Sequence, residues 1–204
     1  MGGPRMKLYI TIPSPYARKC RIVAREKGLA DRVEEVVVDL YGTAPDLAAC
    51  NPLDQVPALI AEDGLPITDS PLICEYLDGL GSGPRLLPLD GPERLAVKRI
   101  EILGNGAMEM GVKWVLEKRR PEGERSQTWM DRWRDRLGRA LDALEAANLS
   151  PERLDMGVIT AACAVTWVGF RHPEFDWRVG RPNLVRLSEA LEQTPSFRET
   201  HPAL

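Results

Sequence analysis

The segment LYITIPSPYARKC, residues 8–20, governs the reading of this chain. A strand-like run, Leu8-Tyr9-Ile10-Thr11-Ile12, stops at Pro13, and Pro15 opens a stretch in which Cys20, Val23 and Ala24 recur at helical spacing. Proline suits a first helical turn, where its missing N–H costs nothing, and Gly28 suits the position just past a helix end. The expectation is a strand over Lys7–Ile12 and a helix over Pro15–Lys27, with Ser14 as its N-cap. A serine there can satisfy the helix's own amides. It can also turn its hydroxyl toward an anion held at the positive helix end.

Working outward, Val33–Leu40 holds the β-branched run Val36-Val37-Val38 and reads as a second strand. Asp46–Cys50 reads as a short helix stopped by Asn51-Pro52. Ala58–Ala61 and Leu65–Thr68 read as two strands joined by the turn Glu62-Asp63-Gly64, and Ser70–Leu77 as a helix. The order β-α-β-α-β-β-α predicts a parallel pair from a right-handed crossover and an antiparallel hairpin at the edge. Together they make a four-stranded mixed sheet with helices on both faces. Gly79–Pro92, GLGSGPRLLPLDGP, is a Gly/Pro-rich linker. Beyond it only helical patterns follow, over Glu93–Glu117 (with a bend expected near Gly104 and Gly106), Ser126–Ala147, Asp155–Phe170 and Leu184–Gln193. In the second of these, Trp129, Trp133, Leu137, Ala140, Leu141 and Leu144 form an apolar stripe. The expected domains are an α/β domain over 6–80, a linker over 81–92 and an all-helical domain over 93–204.

Composition narrows the class. The 204 residues are 44% apolar and 28% charged, with a formal charge of −3 and a pI of about 5.6. That balance argues against a nucleic-acid surface, which reads basic. No apolar run approaches the roughly 20 residues of a membrane span. Met6 reads as the natural start, with residues 1–5 an upstream extension or tag remnant and no signal-type apolar segment. Cys20, Cys50, Cys74 and Cys163 form no CxxC pair and read as buried free thiols of a reducing cytoplasm. The two histidines, His172 and His201, have no metal-ligand spacing.

Four pieces in this order, SPYARK at Ser14, NPLDQVPAL at Asn51, DSPLICEYL at Asp69 and the helical second half, resemble the glutathione transferase family, and bacterial serine-type members in particular. The resemblance runs from about Met6 to Pro195. It implies a thioredoxin-like N-terminal domain that binds glutathione as co-substrate, with no other cofactor and no metal. It implies an all-α C-terminal domain that meets an apolar electrophile, and a homodimer acting in detoxification. Ser14 becomes the catalytic hydroxyl that holds the glutathione thiolate, with Thr11 as alternative donor. Pro57 is implied to be cis, with Val56 pairing through its backbone with the cysteinyl part of glutathione as a short added strand. Gln55, where relatives often carry lysine, keeps a hydrogen bond to the glycyl carboxylate. Ser70, read as the cap of its helix, takes the γ-glutamyl carboxylate, and Asp69 its ammonium. Asn105, Met108 and Trp114 are candidates for the second-substrate pocket, and equally for helix–helix core. The central helix of the second domain keeps Asp155 as cap but has Val158 where relatives place the acid of a capping box.

The chemistry asked of Ser14 has a definite size. A free thiol of this kind ionises near pH 8.5, and lowering that by two units takes about 2.7 kcal/mol of selective stabilisation. A hydrogen bond to a charged acceptor supplies about 1.5–3 kcal/mol and the helix dipole about 0.3–1. Conjugation of glutathione to an electrophilic carbon is the function expected. A non-catalytic glutathione-binding or regulatory module and a glutathione-dependent peroxidase are the alternatives. The lack of cysteine at position 14 counts against a thiol reductase.

Overall fold

The computed structural model describes residues 5–40, 42 and 45–203; the segment Met1–Pro4, set aside above, lies outside them. The chain divides into two compact units, the first drawn from Met1–Leu87 and Pro195–Leu204, the second from Pro88–Thr194.

In the first unit, β1 (Met6–Ile10) leads into α1 (Pro15–Glu26), and a single 3-10 turn at Ala30–Arg32 precedes β2 (Val33–Val37). Then come α2 (Pro45–Cys50), β3 (Ala58–Ile60), β4 (Pro66–Ile67) and α3 (Ser70–Leu80). The sheet order is β2-β1-β3-β4, with β1 parallel to β2 and the remaining pairs antiparallel. This is the four-stranded mixed sheet expected. β1 ends two residues earlier than its pattern suggests, because Ser14 N–H turns back to Thr11 C=O at 3.1 Å. Alternation along β1 sends Tyr9 to one face, where it packs with Leu47, Cys50 and Ala58, while Met6, Leu8 and Ile10 are fully buried on the other. Gly64, at φ +87°, supplies the left-handed residue of the β3–β4 hairpin.

Helices α1 and α3 lie side by side and are joined at three levels. Cys20 Sγ donates to Ser70 C=O at 3.8 Å, Cys74 Sγ to Cys20 Sγ at 3.6 Å, and Lys27 Nζ pairs with Asp78 Oδ1 at 3.1 Å. Both members of that ion pair are almost wholly buried. Lys27 also donates to Gly83 and Pro84 C=O, and the Asp78 carboxylate accepts from the N–H groups of Leu86 and Leu87. The segment read as linker therefore folds back on the first unit as far as Leu87, with Leu86 and Leu87 buried. A second correction concerns the chain end, placed above in the helical domain. There α8 (Pro195–Glu199) packs on α1, where the buried Arg18 guanidinium donates to Phe197 C=O and faces the Phe197 ring. Five residues are too few to show a helical period, so the pattern did not reveal it.

The second unit is all-helical: α4 (Gly91–Lys118), α5 (Gln127–Ala146), α6 (Met156–Arg171) and α7 (Pro182–Leu191). α4 runs unbroken through the glycines expected to bend it. A Cβ on Gly104 would lie 2.8 Å from Thr160 Cγ2, and one on Gly111 2.7 Å from Trp167 Cζ3, so these glycines let α4 approach α6 closely. The stripe on α5 is buried at Leu137, Leu141 and Leu144, whereas Trp129 is 48% exposed and stacks on Trp133. Asp155 caps α6 alone, accepting from Val158 N–H at 2.9 Å. At the C-terminal end of α6, His172 is fully buried between the Trp114 ring, stacked at 4.1 Å, and Gly111 C=O, 3.0 Å from Nε2. Its Nδ1 faces Lys118 Nζ at 3.1 Å, with Glu174 at 3.6 Å.

Two predictions follow from this packing. Asp78→Asn removes one charge of a buried pair and strands the Lys27 ammonium, so it should cost about 3–5 kcal/mol in urea denaturation; a loss under 1 kcal/mol would mean that the linker, not the ion pair, holds this end. Burial, with the nearby Lys118 charge, lowers the His172 pKa from its ordinary 6.5, against the opposing pull of Gly111 C=O and Glu174. The unfolded chain then binds the proton more readily than the folded one. The contribution of His172 is therefore full above pH 6.5 and is lost as pH falls through the folded pKa. The urea midpoint should fall more steeply with acidification in the wild type than in His172→Gln, and parallel curves would refute the assignment.

Candidate functional site

Register gathers the candidate residues of the first unit. The antiparallel pairing of β3 with β1, ending at Tyr9↔Ala58, brings the residues before β3 beside those that follow β1. The antiparallel pairing of β3 with β4, ending at Leu59↔Ile67, brings them beside those that follow β4. Thr11–Ser14, Gln55–Pro57 and Asp69–Ser70 therefore share one end of the sheet, and α1 and α3 both begin there.

Ser14 is the N-cap of α1, in extended conformation. Its Oγ accepts from Ala17 N–H at 3.2 Å. The cap uses only an oxygen lone pair. The hydroxyl proton stays available as a donor, and the bond received from a helix amide polarises the O–H further. Thr11 is half-buried, and its carbonyl is engaged by Ser14 N–H. Cys20, two turns into α1, is fully buried, and desolvation pushes its thiol well above the ordinary range. It is a packing residue and not a nucleophile.

The Val56–Pro57 peptide is cis, as the resemblance implied, and the Thr68–Asp69 peptide is cis as well. Val56 is half-buried and packs against the Tyr9–Leu47–Cys50–Ala58 cluster. Among the described residues, no hydrogen bond engages its backbone N–H or C=O. Gln55 is exposed beside it.

At α3 the cap differs from the reading above by one residue. Asp69, extended at ψ −177°, is the N-cap, and its carboxylate accepts from Ser70 N–H. Ser70 is the first helical residue; aspartate and serine are both favoured caps, and the extended backbone at Asp69 settles which one serves. The Ser70 hydroxyl is buried and has no hydrogen-bond partner among the described residues. A buried hydroxyl beside the amides of a helix start is able to donate to an anion.

The residues proposed for a second substrate lie in the other unit, on α4. Met108 is fully buried in that unit's core, Trp114 is committed to its stack on His172, and Asn105 is half-buried. Among the described residues, no group of three or more His, Cys, Asp or Glu side chains could hold a metal, and no helix is long and apolar enough to cross a membrane. Sequence reading passed over Asn51, whose side chain braces the loop before Pro57. Its place before a proline at a helix end was the signal available.

Residues 13–80 match the glutathione S-transferase N-terminal domain and residues 127–190 the C-terminal domain. A protein of Escherichia coli K12, named an uncharacterized GST-like protein, is 37% identical over 202 residues, covering 97% of this chain and 98% of that one. A glutathione transferase family member from Pseudomonas fluorescens Pf-5, with bound glutathione, superposes with a TM-score of 0.93 at 32% identity, over 98% of this chain and 100% of that. A glutathione S-transferase from Methylobacillus flagellatus KT, also with glutathione bound, gives 0.90 at 34% identity over 97% and 100%. Matches to both domains and a relative this similar over the full length lead to one conclusion: the chain belongs to the glutathione S-transferase family.

Proposed function

We propose that the protein is a glutathione transferase in which the Ser14 hydroxyl holds the glutathione thiolate for attack on an apolar electrophile. The observation that carries this is the Ser14 geometry, an Oγ that accepts a helix amide and keeps its proton to donate. In the reaction the thiol loses its proton to solvent, the sulfur forms a bond to carbon, and the leaving group departs with the displaced electron pair.

Binding and chemistry fall to different groups. The Val56 N–H and C=O pair with the cysteinyl residue, as a strand edge pairs with a peptide. The Ser70 hydroxyl and the start of α3 receive the γ-glutamyl carboxylate, Asp69 holds the ammonium, and Gln55 donates to the glycyl carboxylate. Thr11 stands behind Ser14 as the alternative donor. Asn105, Met108 and Trp114 are the residues proposed for the electrophile side, and Asn105 is the one with most surface to offer. All four cysteines are free and buried, in keeping with a reducing, cytoplasmic setting. The family implies a homodimer. Leu95 and Ile102, 64% and 66% exposed and seven residues apart on α4, offer a second copy an apolar stripe.

Ser14→Ala should fold, at a cost of about 0.5–2 kcal/mol for the lost cap. Glutathione affinity should change little, because backbone and α3 groups hold the tripeptide. The bound thiol's pKa should rise toward about 8.5, since the hydroxyl stabilises the thiolate and not the thiol. At neutral pH conjugation should slow ten- to a hundredfold, for a loss of about 1.4–2.7 kcal/mol, and recover in part at higher pH. The measurement is the thiolate's ultraviolet absorbance against pH in the glutathione complexes of both proteins. Superimposable curves would pass the role to Thr11 or a backbone amide. Tight glutathione binding by the wild type without turnover on a panel of electrophiles would make the chain a binding module instead. For the oligomer, Ile102→Glu should convert a dimer to a monomer in sedimentation at micromolar concentration; a wild type already monomeric there ends that part of the proposal.

A further inference from the structure

We infer that Asn51 is a positioning residue of the glutathione site, one that aims the Val56 N–H at the ligand; the inference rests on the glutathione reading above. Asn51 follows α2 and is 3% exposed. Four of its polar groups are engaged. Its backbone N–H donates to Leu47 C=O at 2.7 Å and its C=O accepts from Asp54 N–H at 2.8 Å. Its Oδ1 accepts from Leu53 N–H at 3.1 Å, and its Nδ2 donates to Gln55 C=O at 2.8 Å. The side chain thus spans a tight loop from both sides. Inside that loop Asp54 sits at φ +53°, a conformation that aspartate tolerates better than most residues.

The bond to Gln55 C=O matters beyond the loop. The peptide joining Gln55 to Val56 is trans, since among the described residues only the Val56–Pro57 and Thr68–Asp69 peptides are cis. In a planar trans peptide the C=O and the following N–H point in opposite directions. Pinning Gln55 C=O inward onto Asn51 therefore turns Val56 N–H outward, and that N–H has no partner within the described chain. Asn51 touches no ligand in this account. It acts by fixing one peptide plane, so that an extended ligand backbone finds its donor already oriented. Preorganisation of this kind lowers the ordering cost of binding.

The prediction is a split between affinity and chemistry. Asn51→Ser keeps a hydroxyl that can accept from Leu53 N–H but is too short to reach Gln55 C=O. Asn51→Asp keeps the shape and sets a carboxylate oxygen against Gln55 C=O in place of a donor. Both should weaken glutathione binding about tenfold by calorimetry, the scale of one hydrogen bond of about 1.4 kcal/mol. The ultraviolet titration of the bound thiol should stay at its wild-type position, because Ser14 is untouched. A general loosening of the unit would move both readouts. Folding is checked by thermal melting, and Asn51→Ser carries the test if Asn51→Asp melts early. Affinity within twofold of wild type in both folded variants, or a thiol titration that shifts along with affinity, would overturn the inference. The amide order parameters of Gln55 and Val56 in the ligand-free protein give a readout independent of glutathione. They should drop in Asn51→Ser from the rigid value of about 0.85 toward 0.6, and unchanged values would also overturn it. Failure of the wild type to bind glutathione, with that drop still seen, would sink the functional reading and leave the bracing intact.

Discussion

The buried pair between Lys27 and Asp78 is the constraint on which the first unit turns. It ties the C-terminal end of α1 to the last turns of α3, with both charges out of water and the surrounding carbonyls and amides taking up their remaining valences. A pair like this adds little net stability over an apolar substitute, but it is costly to break and it admits few geometries. The two thiols of Cys20 and Cys74, in contact between the same helices, leave no room for them to slide. The far ends of both helices are the starts at Ser14 and Asp69-Ser70. The orientation of the two helix starts is thus held from the opposite end of the unit.

Strand register does the complementary work. β3 pairs with β1 on one side and β4 on the other, so the residues preceding β3 are flanked by those following β1 and those following β4. Three segments spread between Thr11 and Ser70 come to one end of the sheet through the pairing of β3 with β1 and β4. The side chains there need only be of the right kind: a hydroxyl at Ser14, a hydroxyl at Ser70, a carboxylate at Asp69. This is why so short a list of residues could be read from the chain. Prolines at 13, 15, 57 and 71 punctuate the segments, and the punctuation survives in the fold as helix starts, the β1–α1 turn and the cis peptide before β3.

What stayed hidden was hidden for physical reasons. The strand and helix periods of the first unit were legible because each element buries one face, and the passage from a mixed to an all-helical half was legible because the period changes. The linker's fold-back onto Asp78 was not, since backbone amides of Leu86 and Leu87 carry the contact and a Gly/Pro-rich segment has no period to read. Gly104 and Gly106 looked like weak points in α4, because local propensity counts only the cost of glycine in a helix. The benefit of Gly104 and Gly111, the close approach of Thr160 and Trp167, exists only in tertiary structure. The one-residue slip between Ser70 and Asp69 arose because both are good caps and only backbone angles choose between them. Asn51 was missed because its bonds run to backbone atoms two and four residues on, which no side-chain pattern announces.

The arrangement separates what binds from what reacts. In the proposed complex, backbone groups at Val56 and donors at α3 would meet parts of glutathione whose charge does not change during the reaction, and would stabilise thiol and thiolate complexes alike. Interactions of that uniform kind hold the substrate without lowering the barrier. Ser14 would meet the one atom whose charge does change. Its hydroxyl is polarised by Ala17 N–H and stands at the positive end of α1, so a hydrogen bond from it would be stronger to a thiolate than to a thiol. In this proposal loss of the cap hydroxyl acts on ionisation, and loss of the loop brace acts on affinity. The two can be told apart because they arise from separate elements, α1 in one case and the α2–β3 loop in the other, that meet only at the sheet edge.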